Sequence, residues 1–157
     1  MLLGRVFAVG SYIPLHSNAE VLNVADDNWT TVSPYPYCDN LFDAPMIFYD
    51  LKFTIFGGGC LGDSDDTALT AIVSFGLETQ QWSKIGEMKQ ARQGHNMISH
   101  PNGALYVIGG MDPESVDDLY TEKCSYDGSF ECESQQPVLT SYTYYPELKL
   151  VNENYCL

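Results

Sequence analysis

Three short runs of β-forming residues each end in glycine, and they recur along the chain at nearly constant spacing. They are Arg5-Val6-Phe7-Ala8-Val9-Gly10, Lys52-Phe53-Thr54-Ile55-Phe56-Gly57 and Ala104-Leu105-Tyr106-Val107-Ile108-Gly109. Gly10 and Gly57 stand 47 positions apart, and Gly57 and Gly109 stand 52 apart. The glycine is doubled in the last two, as Gly57-Gly58 and Gly109-Gly110, while Ser11 takes the second place in the first. An aromatic residue follows in phase: Trp29 after 19 positions, Trp82 after 25 and Phe130 after 21. Two markers sharing one period indicate a repeat architecture, in which a unit buries its apolar face only by stacking on its neighbours.

The units read as β structure throughout. Gly94 to Ser99 predicts a first strand of the third unit. Pro101-Asn102-Gly103 predicts a tight turn, since Asn-Gly readily takes positive φ. Ala104 to Gly109 is a nearly continuous apolar run, expected of a strand covered on both faces. Strands at Asp118 to Tyr126 and Phe130 to Ser134 complete that unit. The second unit maps onto Met46 to Tyr49, Lys52 to Phe56, Leu69 to Phe75 and Gln81 to Ile85.

This arrangement resembles the kelch motif, a double glycine ending one strand followed by spaced aromatics within about fifty residues. The most specific stretch runs from Phe56-Gly57-Gly58 through Phe75, Trp82, Met88 and Ala91-Arg92-Gln93-Gly94-His95 to Leu105-Tyr106-Val107-Ile108-Gly109-Gly110. The resemblance covers about residues 5 to 134. It implies an all-β fold, a partial kelch-type β-propeller of about three four-stranded antiparallel blades, near 4–34, 45–87 and 94–135. It also implies that Arg92 and His95 open the third blade. The pattern departs at Ser11, at Phe130 in place of tryptophan, and in the single occurrence of the Arg–His pair.

The chain opens at Arg5, already in a second strand, and a fourth blade would start at 140–152. Propellers close with about 4–8 blades, so three blades leave two flanks uncovered and no closed ring. A fragment of a larger protein is the first reading of that count, and several chains sharing one ring is the second. The whole of 1–157 is taken as one kelch-repeat region.

Charge narrows the partners. Only 7 Lys and Arg face 21 Asp and Glu, a net charge of −14. Such a chain repels phosphate backbones and anionic membranes, and it has no basic stripe. Nucleic acid is therefore not an expected partner. No run of 18 or more apolar residues occurs, so membrane insertion by a helix is not expected either. Met1-Leu2-Leu3-Gly4-Arg5 is too short and too soon interrupted for a secretory signal.

Five cysteines, Cys38, Cys60, Cys124, Cys132 and Cys156, leave at least one unpaired within the chain. Cys124 and Cys132 flank a hairpin candidate. A three-residue turn at Asp127-Gly128-Ser129 sets them directly opposite, near bridging distance at a non-hydrogen-bonded pair. A two-residue turn at Asp127-Gly128 breaks that register, and the spacing does not choose. A disulfide implies an oxidising compartment, buried thiols a cytosolic one, so cytoplasmic and extracellular locations both stay open.

No motif for catalysis, cofactor or metal emerges. Gly57-Gly58-Gly59 lacks the order of a phosphate loop. Gly62-Asp63-Ser64-Asp65-Asp66 lacks the glycine and distal Glu of a calcium loop and reads as a solvated connection. His16, His95 and His100 are scattered and no nucleophile signature lies near them. Asn28-Trp29-Thr30 matches a glycosylation acceptor, relevant only in an exported protein.

The resemblance implies a protein-interaction scaffold, since kelch domains mostly bind proteins, among them actin and substrates of cullin-type ubiquitin ligases. Neither a BTB nor a BACK domain is present in this chain. The candidate contact loops are Ser11 to Ala19, Cys60 to Thr67 and Met111 to Asp117, with Asp63, Asp65, Asp66, Asp112 and Glu114 as their acidic groups. An extracellular, disulfide-containing adhesion or matrix module is the alternative. A kelch-type oxidase or epimerase ranks below both, because copper needs converging His and Tyr ligands.

Overall fold

A computed structural model describes residues 4–10, 19–62, 66–115, 121–135 and 144–147, and every regular element among them is a β-strand. β1 (Arg5–Val9), β2 (Ala19–Asn23) and β3 (Asn28–Val32) form one antiparallel three-stranded sheet. β4 (Leu41–Phe42) is short. β5 (Met46–Tyr49) and β6 (Lys52–Phe56) form a hairpin, followed by β7 (Gly59–Leu61), β8 (Asp66–Ala68), β9 (Ala71–Gly76) and β10 (Gln81–Glu87). β11 (Gln93–Ser99), β12 (Leu105–Met111), β13 (Glu122–Tyr126) and β14 (Phe130–Ser134) follow. The meanders β5-β6-β9-β10 and β11-β12-β13-β14 are two four-stranded blades. They touch through a two-residue parallel pairing of β10 with β14, Gly86 opposite Phe130 and Glu87 opposite Glu131, which makes one curled eight-stranded sheet.

The fold is thus all-β and open, a partial kelch-type propeller. Among the described residues, the first sheet is a blade with no counterpart of β5 and β11. Of the fourth-blade start expected at 140–152, residues 144–147 carry no strand, and the remainder lies outside the described residues.

Alternation along the glycine-ending strands shows which flank of each blade is covered. In β6, Phe53, Thr54, Ile55 and Phe56 are all buried, because the second blade is sandwiched between the other two. In β1 only Phe7 is buried, while Val6 and Ala8 are exposed. In β12, Leu105 and Val107 are buried, whereas Tyr106 and Ile108 are only half-buried. The apolar run at 104–109 was expected to be covered on both faces. It is fully covered on one, since no fourth blade among the described residues lies over the other.

Aromatic side chains fill the joints between blades. Across the second blade, Phe53, Phe75 and Trp82 form one cross-strand row. That row meets Phe7 of the first blade, with ring centroids 4.8, 5.1 and 5.8 Å from it respectively. Trp82 also packs on Tyr35 at 5.4 Å and donates its indole N–H to the Ser33 carbonyl at 2.8 Å. At the next joint Phe130 meets Phe56 at 5.0 Å and Tyr49 at 5.5 Å. Offset and edge-on aromatic pairs of this kind add roughly 0.5–1.5 kcal/mol each beyond the area they bury.

Strand register revises one repeat marker. The row Phe53–Phe75–Trp82 corresponds in the third blade to Leu105–Cys124–Cys132, and in the first to Val6–Leu22–Trp29. The positional counterpart of Trp82 is therefore Cys132. Phe130 lies two residues before it on the same face. Counting from the glycine misplaces the marker because the connection after each glycine differs in length.

Two disulfides hold these elements. Tyr126 pairs with Phe130, so the turn has three residues and Cys124 stands opposite Cys132; the two are bonded with Cα atoms 4.0 Å apart. The second, Cys38–Cys60, has Cα atoms 5.7 Å apart and was not foreseen. Nothing local in the sequence marks that pair, because β7 and β4 bring together residues separated by 22 positions. Alkylation of the denatured, unreduced chain should label one thiol, Cys156. Loop-closure entropy sets the loss on replacing Cys38 and Cys60 by Ala at about 3 kcal/mol, and about 2.5 kcal/mol for Cys124 and Cys132, measured by urea unfolding.

Candidate functional site

Among the described residues, the connection that follows Gly57-Gly58 has strands of its own. After Gly57 and Gly58 the chain folds into the β7–β8 hairpin, with Cys60 opposite Thr67 and Leu61 opposite Asp66. β4 adds a third strand, Leu41 pairing with Cys60 and Phe42 with Gly59. Asn40 closes this edge: its carbonyl accepts from the Leu61 N–H at 3.1 Å and its side-chain amide donates to the Leu61 carbonyl at 3.4 Å. With the Cys38–Cys60 bridge this is a braced hairpin; of the solvated connection expected at Gly62 to Asp66, the two end residues are exposed and 63–65 lie outside the described residues. The sheet pairing and the disulfide on either side of it are features that a turn-rich sequence does not reveal.

Of the acidic candidates, Asp66 and Glu114 are exposed. Asp112 is half-buried. Its carboxylate accepts the Glu114 N–H at 3.1 Å and its carbonyl accepts the Ser115 N–H at 3.2 Å, so it shapes its own turn. Asp63, Asp65 and the loop 11–18 lie outside the described residues, as do 116–120 and Cys156. Asp43 was not foreseen at this surface. Its carboxylate accepts from the Tyr144 hydroxyl and its carbonyl from the Gly94 N–H at 2.9 Å, while Gly94 in turn accepts the Tyr145 N–H at 2.7 Å. Burial, then hydrogen bonding to Asp43, holds the Tyr144 phenol above its usual range, so it stays a neutral donor.

Beneath the loops sits a fully buried ion pair. The Arg92 guanidinium donates to Glu122 at 2.8 Å and to the Gly109 carbonyl at 3.1 Å, and both side chains are 0% exposed. Glu122 also accepts the backbone N–H groups of Lys89 at 2.7 Å and Gln90 at 3.0 Å. Burial lowers the Arg92 pKa, and the charge and hydrogen bond of Glu122 beside it oppose that. Arg92 was expected as a repeat marker, and its partner Glu122 was not singled out.

Register identifies what the second blade uses instead. A Cβ on Gly57 would lie 2.9 Å from the Arg92 carbonyl, and one on Gly10 would lie 2.7 Å from the Leu41 carbonyl. Leu41 therefore holds the place of Arg92. Ile55 pairs with Val73 as Val107 pairs with Glu122, so Val73 holds the place of Glu122. Leu41 and Val73 are buried in one apolar cluster. The second blade thus has an apolar pair, Leu41 and Val73, where the third has the ion pair Arg92–Glu122.

His95 packs beside this pair and is 4% exposed. Burial first, then the Arg92 charge, pushes its pKa down to about 3, only partly offset by the Phe56 backbone. It is a neutral core residue, not a base at the surface. Glu122, Cys124 and Cys132 are close enough together to hold one ion. However, the cysteines are bonded to each other and the carboxylate is saturated by Arg92, Lys89 and Gln90. An open cleft of about 250 Å³ between the first two blades, lined by Arg5, Asn28, Thr30, Phe75 and Leu77, is smaller than usual ligand pockets of roughly 300–1,000 Å³.

Two predictions follow from the buried groups. Arg92→Leu or Glu122→Val alone strands a buried charge and costs about 3–5 kcal/mol in urea unfolding. The double variant, which copies Leu41 and Val73, costs less than either single change, because neither charge is then left buried without its partner. His95 binds its proton in the unfolded chain near pH 6.5 and in the folded one only near pH 3. Its contribution is complete above pH 6.5 and is lost as pH falls through that window, by roughly 2 kcal/mol between pH 7 and pH 5. His95→Gln should flatten that slope in parallel melts.

No family model matches the chain. It is 32% identical over 111 residues to a RING finger domain and kelch repeat-containing protein of Dictyostelium discoideum, a match over 68% of this chain. The chain spans about 10% of that relative's length. Among solved structures it resembles that of YjhT, with a TM-score of 0.66 at 16% identity, over 85% of this chain and 48% of the other. Among the described residues no helix is long and apolar enough to cross a membrane. The glycine pairs, the aromatic joints and the curled blades agree with these likenesses: this is a diverged kelch-repeat chain of the β-propeller kind, with about three repeats.

Proposed function

We propose that this chain is a protein-interaction scaffold, a single repeat region over 1–157 with blades near 4–34, 45–87 and 94–135. It meets its partner with the loops that follow the glycine pairs. The observation that carries this is the braced β7–β8 hairpin. A solvent-facing loop with its own sheet and a disulfide is costly to order unless its shape matters. A rigid loop also loses little entropy on binding.

The partner is expected to be a protein with a basic patch. Asp66 and Glu114 project from these loops, and the chain carries −14 overall. Long-range attraction of that sign speeds encounter and weakens with salt. A second reading, an extracellular adhesion or matrix module, is favoured by the two disulfides, which persist in oxidising compartments. The two readings share the contact loops and differ in compartment. An enzymatic role finds less support, because His95 is buried and neutral and the acidic and thiol groups near Glu122 are already engaged.

A partner recovered by affinity capture provides the test. Asp66→Lys with Glu114→Lys should weaken its binding about tenfold or more and reduce the salt dependence, leaving the melting temperature unchanged. Undiminished binding of the doubly reversed variant would reject these loops as the contact surface.

A further inference from the structure

Asn28-Trp29-Thr30 is the one Asn-x-Ser/Thr triplet in the chain, and the fold treats its asparagine differently from the others. The remaining asparagines among the described residues commit their side chains to the backbone. Asn23 accepts from the Ala25 N–H at 3.3 Å and Asn102 from the Ala104 N–H at 3.1 Å. Asn40 donates to the Leu61 carbonyl at 3.4 Å and Asn96 to the Pro146 carbonyl at 3.0 Å. The Asn28 amide makes no such bond among the described residues, and Asn28, Trp29 and Thr30 are all exposed. Asn28 opens β3 directly after the turn at 24–27, opposite Asn23. Side chains two apart on a strand share a face, so the Thr30 hydroxyl lies on the same side as the Asn28 amide. Both border the open cleft between the first two blades, and the second blade on that side leaves both exposed.

We infer that Asn28 is the acceptor of an N-linked oligosaccharide. The inference rests on the extracellular reading above, which the two disulfides favour. The donor is an oligosaccharide carried through N-acetylglucosamine on a lipid diphosphate. A bond forms between the Asn28 amide nitrogen and the anomeric carbon of that sugar. The bond from the same carbon to the diphosphate oxygen breaks, the diphosphate leaves with the electron pair, and the amide nitrogen gives up one proton. Nothing in the fold opposes the substituent. The first blade packs on the second through Phe7, Val21 and Val32, and the Asn28 amide holds no part of that joint. β3 is the last strand of its sheet and has no strand on its outer side among the described residues. A sugar chain rooted at its first residue shields that edge from pairing with another chain.

Expression of the full chain in a eukaryotic cell, behind an added signal sequence, tests this. The chain should run as a heavier species that peptide N-glycosidase returns to the mass of the bare polypeptide, with the enzyme's amide-to-acid mark at position 28 alone. Asn28→Gln and Thr30→Ala should each abolish the shift, while Thr30→Ser, which keeps the hydroxyl, should retain it. Asn28→Gln should melt within a degree or two of the deglycosylated parent, because the amide it replaces makes no bond within the fold. A translocated chain with both disulfides formed and no glycosidase shift overturns the acceptor site and leaves the extracellular reading standing. A shift that survives Asn28→Gln overturns it as well. A glycan on a chain whose cysteines all stay free supports the acceptor site and counts against the extracellular reading instead.

Discussion

The joint between neighbouring blades is the contact on which the rest of this structure depends. A single blade is a twisted sheet with two apolar faces, and it cannot keep both out of water alone. The second blade solves this by having neighbours on both sides, which is why Phe53, Ile55 and Phe56 are all buried within one strand. The first and third blades solve it on one side each. The glycine-ended strands that launch the loops are the same ones that carry the joint, so that packing places the bases of the loops.

The chemistry of a joint position is less constrained than its place. In the cross-strand row that faces the preceding blade, the second blade has Phe53–Phe75–Trp82 and the third has Leu105–Cys124–Cys132. A covalent bridge there stands in for an aromatic contact, and Phe130 moves into the joint from two residues away. The pair under the glycine turn varies in the same way, with Arg92 and Glu122 in one blade and Leu41 and Val73 in the other. Desolvating two charges offsets much of their attraction, so an apolar pair of suitable size holds the same place at comparable free energy. What the ion pair adds is directional: Glu122 fixes the Lys89 and Gln90 backbone, and Arg92 fixes the Gly109 carbonyl.

Much of this was legible from the residues. Strands β5 and β6 fall where Met46 to Tyr49 and Lys52 to Phe56 were expected, because short apolar runs bounded by Pro45, Asp50-Leu51 and a glycine pair leave little freedom. The turn at Asp127-Gly128-Ser129 was one of two open choices, and pairing of Tyr126 with Phe130 selects it. Other features were illegible for a physical reason. Cys38 and Cys60, Arg92 and Glu122, and Leu41 and Val73 are each 22 or more positions apart or defined by register across strands, and period alone does not report register. The braced hairpin at 59–68 was hidden because its turn-rich residues look the same whether or not another strand pairs with them.

The two disulfides divide the work between joint and surface. Cys124–Cys132 lies in the buried face of the third blade, among Phe56, Ile72, Leu105 and Phe130, where it fixes the register of β13 and β14. Cys38–Cys60 instead ties the segment before β4 to the β7–β8 hairpin. Reduction of the first would leave two small apolar thiols in a packed cluster that already holds the strands together. Reduction of the second would release a hairpin held otherwise by three short strands and by Asn40. The loop surface is therefore the part whose order depends most on a covalent bond, and the propeller core is the part whose order depends most on neighbouring blades. The β7–β8 hairpin should loosen under reducing conditions before the blades do, with hydrogen exchange rising first at Gly59–Leu61 and Asp66–Ala68.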